Sequence, residues 1–226
     1  MRPDLTPSKR SQRGQAPVTL RADLTTLAKR IRACRICRDH PRGAPLGHEP
    51  RPVLRVSESA RICIAGQAPG TRVHASGVPF KDPSGDRLRV WMDIDEATFY
   101  DADRIAIVPM GFCFPGLDRR GSDLPPRVEC ASEWRQLLFA NLPRIDLLIV
   151  IGAYAQKWHL GDHNRRTLTE TVAAWRTIGA ETKVPRIVPL PHPSWRNNSW
   201  IKQNPWFEAD LLPELRRQIA RRLDPV

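Results

Sequence analysis

A three-layer α/β/α sandwich around a central four-stranded parallel sheet is the architecture that this sequence predicts, and three observations carry it. Four strand-sized apolar runs, at 61–66, 105–109, 147–152 and 186–190, punctuate the chain. The segments between them show helical spacing of apolar residues, as at 131–142, 153–160 and 168–178, with a closing helix at 207–223. The resulting βαβαβαβ order joins each strand to the next through a helical crossover, which makes the sheet parallel and covers both of its faces. In such a sheet the ligand site lies beyond the carboxyl ends of the strands.

The elements before the first strand are less regular. Residues 1–17 are rich in Pro, Ser, Gly, Gln and basic side chains without apolar period, the composition of a disordered basic arm. From residue 18 onward a single domain is expected to run to 226, a length that one core can serve. Leu20, Leu24, Leu27 and Ile31 recur at three- and four-residue spacing and predict an amphipathic helix ending near Cys34. The stretch 38–59, rich in Pro, Gly and Arg, reads as an irregular surface connection.

Composition narrows the function. Thirty-six Lys and Arg against 24 Asp and Glu give a net charge of +12, which suits a polyanionic partner such as nucleic acid as well as a generally basic surface. No apolar run reaches membrane-spanning length and the N-terminus lacks a secretory pattern, so a cytoplasmic protein without membrane contact is expected. Five cysteines, two of them in the pair Cys34-Arg-Ile-Cys37, fit metal ligation better than a disulfide framework in a reducing compartment. Cys63, on the first strand, reads as buried and inert.

Two loops hold the residue types that a reaction needs. Gly66-Gln67-Ala68-Pro69-Gly70 follows the first strand, and its glycines let the backbone turn sharply and approach a ligand. It also reads as a plain strand-to-helix turn. His192 follows the last strand in Leu-Pro-His-Pro-Ser, its backbone stiffened by two prolines. A neutral imidazole there is suited to stabilising negative charge on a departing group, or serves as a structural histidine.

GQAPG, then GVPF at 77–80, then HPS at 192–194, in that order on an α/β chain, resembles the uracil-DNA glycosylase superfamily over about residues 30–220. The resemblance implies a DNA repair glycosylase that hydrolyses the bond between deoxyribose and uracil or another deaminated base, leaving an abasic site. It assigns Gln67, with Gly66 and Ala68, to a water and the pocket floor, Phe80 to stacking on the extruded base, and His192 to the departing base. The stretch from Phe80 to Leu88 is similar to a segment of the family 5 enzymes whose first Asp is catalytic, which makes Asp82 a candidate catalytic carboxylate, although Asp before Pro also opens helices. Cys34, Cys37, Cys113 and Cys130 are similar to the ligand set of a [4Fe-4S] cluster in families 4 and 5, with structural zinc or no metal as alternatives.

The chain departs from the family pattern in places. Familiar members carry Asp or Asn at the position of Ala68, or Glu at that of Gln67, and an Asn where this chain has Pro109. Reading of the base then falls to the backbone of the Pro109–Met110 stretch through Phe112, or to Asn197 or Asn198, and xanthine, hypoxanthine and substituted uracil join uracil as candidates. Arg196 is positioned to enter the gap left by an extruded base, with Arg119 and Lys202 meeting phosphates. The expected partner is DNA, single- or double-stranded, bound by a monomer. A non-catalytic damage sensor on the same fold, or a basic zinc protein, are the competing classes.

Overall fold

The computed structural model describes residues 23–182 and 184–223; the arm expected at 1–17 lies outside the described residues. Four parallel strands form the sheet: β1 (Ile62–Ala65), β2 (Ile105–Ile107), β3 (Leu147–Ile151) and β4 (Arg186–Leu190). Their spatial order is β2-β1-β3-β4, with Ile64 opposite Ile107 on one side and Ile149 on the other. The chain leaves β1 for β2 on one side and returns to β3 on the other, so a topological switch point opens between the carboxyl ends of β1 and β3.

Alternating strand residues divide between two cores. Ile62, Ile64, Ile105, Ile107, Leu147, Ile149 and Ile151 pack beneath α4 (Pro83–Met92), α5 (Glu96–Tyr100) and α12 (Leu212–Leu223). Cys63, Ala65, Ala106, Val108, Leu148 and Val150 face the opposite layer, which holds α1 (Leu24–Arg32) and Trp134 and Leu138 from the 128–140 segment. Both faces are therefore covered, as the near-continuous apolar strands predict. Helix α1 has Asp23 as its cap, accepting from the Thr26 amide at 2.9 Å, and Leu24, Leu27 and Ile31 as its buried stripe; the 18–22 part of the expected helix, Leu20 included, lies outside the described residues.

Two expected helices are interrupted. The 131–142 helix is a π-helical turn, Ala131–Arg135, between α-helical segments Val128–Cys130 and Gln136–Ala140. The helix expected over 168–178 is two, Leu168–Ala173 and Trp175–Glu181, breaking at Ala174. Val172 and Trp175 pack in one core and Ile178 in the other, so a single straight helix would not serve both. The 38–59 connection is irregular, touching the sheet through one antiparallel bridge between Arg55 and Ile107. No described helix is long and apolar enough to cross a membrane.

The π-helical turn places a fully buried arginine behind β2. Arg135 donates from Nη1 to the Pro109 carbonyl at 2.9 Å, from Nη2 to that of Val108 at 3.3 Å, and from Nε to His159 Nε2 at 2.9 Å. Burial, with the Arg135 charge adding, draws His159 down to about 3, so its imidazole is a neutral acceptor at neutral pH. A buried charge with three fixed acceptors holds the end of β2 rigid.

Candidate active site

The loops that leave the carboxyl ends of the strands enclose one open cavity of about 730 Å³, within the size range of small-molecule sites. Gly66, Gln67, Ala68, Pro69 and Gly70 form one side, Phe80 and Asp82 another, and His192, Ser194, Arg196 and Asn197 a third. Pro109 and Asp123 complete it. A smaller recess, lined by Gln67, Asp123, Leu124, Tyr154 and His192, adjoins the first.

Close backbone approaches set this shape. A Cβ on Gly152, at the end of β3, would stand 2.9 Å from Gln67 Cδ, so the glycine lets the two loops at the switch point meet. Phe80 holds φ at +57°, a left-handed conformation uncommon for a phenylalanine, and its ring sits 3.3 Å from where a Gly66 Cβ would lie. The ring is half-buried and meets Phe99 edge-on at 6.0 Å, so one face is backed by the core while Phe80 still lines the cavity.

Asp82 has two positions in this arrangement. It is the N-cap of α4, its Oδ1 accepting from the Gly85 amide at 2.9 Å with Pro83 in the first helical position, and it lines the cavity. Asp82→Asn is expected to keep the cap and stay within about 0.5 kcal/mol of the parent in urea unfolding, whereas Asp82→Ala loses about 1 kcal/mol. Equal losses in both variants would show instead that the carboxylate's charge, not its hydrogen bond, secures α4.

His192 is fixed from several directions. The Leu190 carbonyl before it accepts from the Gly152 amide at 3.0 Å and from the buried Gln156 Nε2 at 2.9 Å. The His192 carbonyl itself accepts from Asn197 Nδ2 at 2.7 Å. Arg87 of α4 donates to the Ser194 carbonyl at 3.1 Å and to Asn198 Oδ1 at 2.7 Å, tying the HPSWRN loop to the Phe80–Asp82 side. Burial lowers the His192 pKa, with the Asp82 and Asp123 carboxylates opposing, so the imidazole is neutral at neutral pH.

Several expected residues stand elsewhere. Met110 is packed in the core, its amide given to the Gly66 carbonyl at 2.9 Å, and it does not line the cavity. Backbone reading by the 109–112 stretch meets the same obstacle: the Pro109 carbonyl is taken by Arg135, the Gly111 amide by the Gln67 carbonyl at 2.9 Å, and the Phe112 carbonyl by the Val53 amide at 2.8 Å. Asn198 is engaged with Arg87, leaving Asn197, whose Nδ2 donates to the His192 carbonyl, as the asparagine on the cavity wall. Arg119 and Lys202 are exposed and outside the cavity lining. The His74 ring, outside the lining, lies tilted against those of His48 at 4.5 Å and Phe114 at 5.7 Å. Trp200 packs against Trp206 and Phe207, as core anchoring of the last helix requires.

Four thiols lie in or against the core on the α1 side of the sheet. Cys37, Cys113 and Cys130 are buried in the same core and Cys34 is partly buried against it, accepting from Trp134 Nε1 at 3.4 Å. Cys37 is drawn down to about 7 by a hydrogen bond with Cys130, whose own pKa that bond raises. Cys113 is pushed up to about 12 by burial, with Cys37 and Cys34 adding. Among the described residues no three His, Cys, Asp or Glu side chains stand close enough to hold a single metal ion as they lie. Cys63 is fully buried, its thiol raised to about 12 by burial, and so is inert.

Sequence reasoning missed Gln156, Arg87 and Arg135, the polar groups that hold the loops in place, and Asp123 on the wall. Fold and cavity together define an α/β protein whose pocket sits at the carboxyl ends of parallel strands, at the switch point of the sheet. Residues 55–216, well over half of the chain and including every strand and both loops, match the family model described as the Uracil DNA glycosylase superfamily. The chain belongs to that superfamily, whose members are typically DNA repair glycosylases, hydrolases that act on DNA.

Proposed function

We propose that this chain hydrolyses the N-glycosidic bond of uracil or another deaminated base in DNA and leaves an abasic site. The observation that carries the reading is the meeting of GQAPG, Phe80 and HPSWRN around one cavity, with a neutral His192 facing into the same space as a half-buried aromatic ring. Stacking of the extruded base on Phe80 is worth about 1–3 kcal/mol, similar to the cost of unstacking it from DNA. His192 donates to the carbonyl oxygen on which negative charge collects as the bond to C1′ breaks. The positive charge left on the sugar is met by Asp82, whose second oxygen is not used by the helix cap, and Gln67 orients the water.

Gly66 and Ala68 form the floor beneath the base, and Asn197 is the remaining side-chain amide suited to reading its edge. Met110 contributes through its backbone bond to Gly66, not by contact. Arg196, exposed beside Trp195 at the mouth, enters the gap left by the base, while Arg119 and Lys202 meet phosphates farther out. Because the wall at Pro109 offers no free donor, selection rests more on pocket shape than on a matched hydrogen-bond edge. That supports release of more than one deaminated base.

Cys34, Cys37, Cys113 and Cys130 are proposed to hold a [4Fe-4S] cluster, in keeping with the subgroup that carries one. An all-thiolate donor set in an apolar pocket with Arg127 beside Cys37 has the chemistry that such clusters take. Cys34 and Cys37 after α1 and Cys113 and Cys130 beyond β2 would be the residues that hold it, so these two parts of the chain would be tied together by their own thiolates. Zinc analysis against iron and sulfide analysis of anaerobically purified protein separates the alternatives.

Incubation with single and double strands carrying uracil, hypoxanthine or xanthine, followed by alkali, tests the activity. Alkali-labile sites at one or more of these bases are expected. Binding to these strands without any cleavage would favour a damage sensor, a class to which the lack of an ionisable group in GQAPG otherwise points.

A further inference from the structure

Hydrolysis of a glycosidic bond needs a group that takes a proton from the attacking water, and Gln67 as an amide does not supply one. Among the described residues the carboxylates lining the cavity are Asp82 and Asp123. Asp82 is held as the cap of α4. Among the described residues the Asp123 carboxylate accepts no hydrogen bond and stands in no ion pair, the charges of Arg196 and His192 acting on it from farther off, although it lies at a site on a protein of net charge +12. A negative charge there opposes the approach of DNA phosphates, a cost that asks for a return in chemistry.

The loop that presents Asp123 is built rigidly. Leu117 and Asp123 pair as an antiparallel bridge, and the Leu124 amide donates to the Gly116 carbonyl at 2.9 Å. Across the turn, Asp118 Oδ1 accepts from the amides of Arg120 and Ser122 at 2.8 and 2.9 Å, while Gly116 and Gly121 hold φ at +100° and +74°. The turn thus projects Asp123 over the GQAPG loop, with Oδ2 3.6 Å from where a Gly70 Cβ would stand. The carboxylate also lines both the main cavity and the recess beside it, in company with Gln67 and His192.

We propose that Asp123 is a catalytic residue, the carboxylate that accepts the proton of the water attacking C1′. The inference rests on the glycosylase reading of the cavity. In the step, the C1′–N bond breaks and its electron pair leaves on the base, where His192 stabilises it. The water oxygen bonds to C1′, its proton passes to Asp123, and the base is finally protonated from solvent. Asp123 has a raised affinity for a proton, from partial burial first, opposed by Arg196 and then His192, with Asp82 adding least. The division of labour follows: Asp82 supplies field to the sugar and Asp123 moves the proton.

The experiment is single-turnover release on a uracil-containing strand, or on the hypoxanthine or xanthine strand if the parent protein releases only those, across mildly acid to neutral pH. Asp123→Asn is expected to slow release by about 100-fold or more, with DNA affinity equal or higher and an unchanged melting midpoint. The acid limb of the parent's pH–rate profile, where Asp123 becomes protonated, is expected to vanish in Asp123→Asn and to persist in Asp82→Asn. A rate for Asp123→Asn within about threefold of the parent, or an acid limb that survives it, overturns the assignment while leaving the glycosylase reading intact. A parent protein that releases none of the three bases removes both.

Discussion

Replacing His192 by alanine is expected to slow base release by about 10²–10³-fold while DNA affinity and folding stability stay close to those of the parent. The size follows from where the imidazole stands. It is neutral, half-buried, and carried by a segment whose carbonyls at Leu190, His192 and Ser194 are each held by a donor from another residue. A donor fixed in advance costs no reorganisation as charge develops on the base, and its removal leaves nothing to replace it. The loop's own hydrogen bonds are made by backbone carbonyls, so truncating the side chain leaves the geometry standing. Rapid-quench measurement with saturating enzyme separates the chemical step from binding. A variant that keeps the parent rate would take His192 out of the mechanism.

Gly85→Ala carries the largest structural penalty. Alanine is the better helix former by about 1 kcal/mol, so an unconstrained helical glycine would be stabilised by the change. Here the new Cβ would stand 1.7 Å from the Phe80 carbonyl oxygen and 2.7 Å from its carbon. The contact is with backbone, which has little freedom to retreat because Phe80 already sits in a left-handed conformation. Either α4 moves, breaking the Asp82 cap, or Phe80 moves, taking the stacking ring out of the cavity. A loss of about 3 kcal/mol in urea unfolding is expected, together with base release reduced at least as far as in Phe80→Ala. Stability equal to or above that of the parent would show that the turn relaxes freely and that Phe80 is not held by Gly85.

The contrast between these residues explains what was legible in the sequence. The strands were, because each is a short apolar run buried on both faces, and the observed bounds lie within one or two residues of the apolar runs. His192, Phe80 and Gln67 were legible because turn chemistry and a family motif mark them. Asp123 was not: it sits in a charged loop with no motif of its own, and its approach to GQAPG is a consequence of how two distant loops fold over the sheet. Arg135 and Gln156 were hidden for another reason. A periodicity reading treats polar residues as the solvent side of a helix, whereas these two are buried to satisfy carbonyls at strand ends. Asp82 shows the opposite case: the helix-opening reading open to the sequence holds, since it caps α4, and the same residue lines the cavity.

Met110 and the backbone beside it were expected to touch the base because that stretch follows β2 directly. Met110 stands outside the cavity lining, and the Pro109 carbonyl, the Met110 and Gly111 amides and the Phe112 carbonyl close hydrogen bonds to Arg135, Gly66, Gln67 and Val53, so these groups are already engaged. The wall that results is apolar at Pro109, which is why the identity of the base is the property least determined by the residues around it.

Direct detection of free base is the measurement closest to the central claim. Purified protein is incubated with strands carrying uracil, hypoxanthine or xanthine, and released base is quantified by chromatography against alkali-labile sites in the same sample. One intact base per abasic site, with release suppressed in His192→Ala, is the result expected of a hydrolytic glycosylase working from this cavity. Tight binding to the same strands without any free base, or base release indifferent to His192, would contradict it.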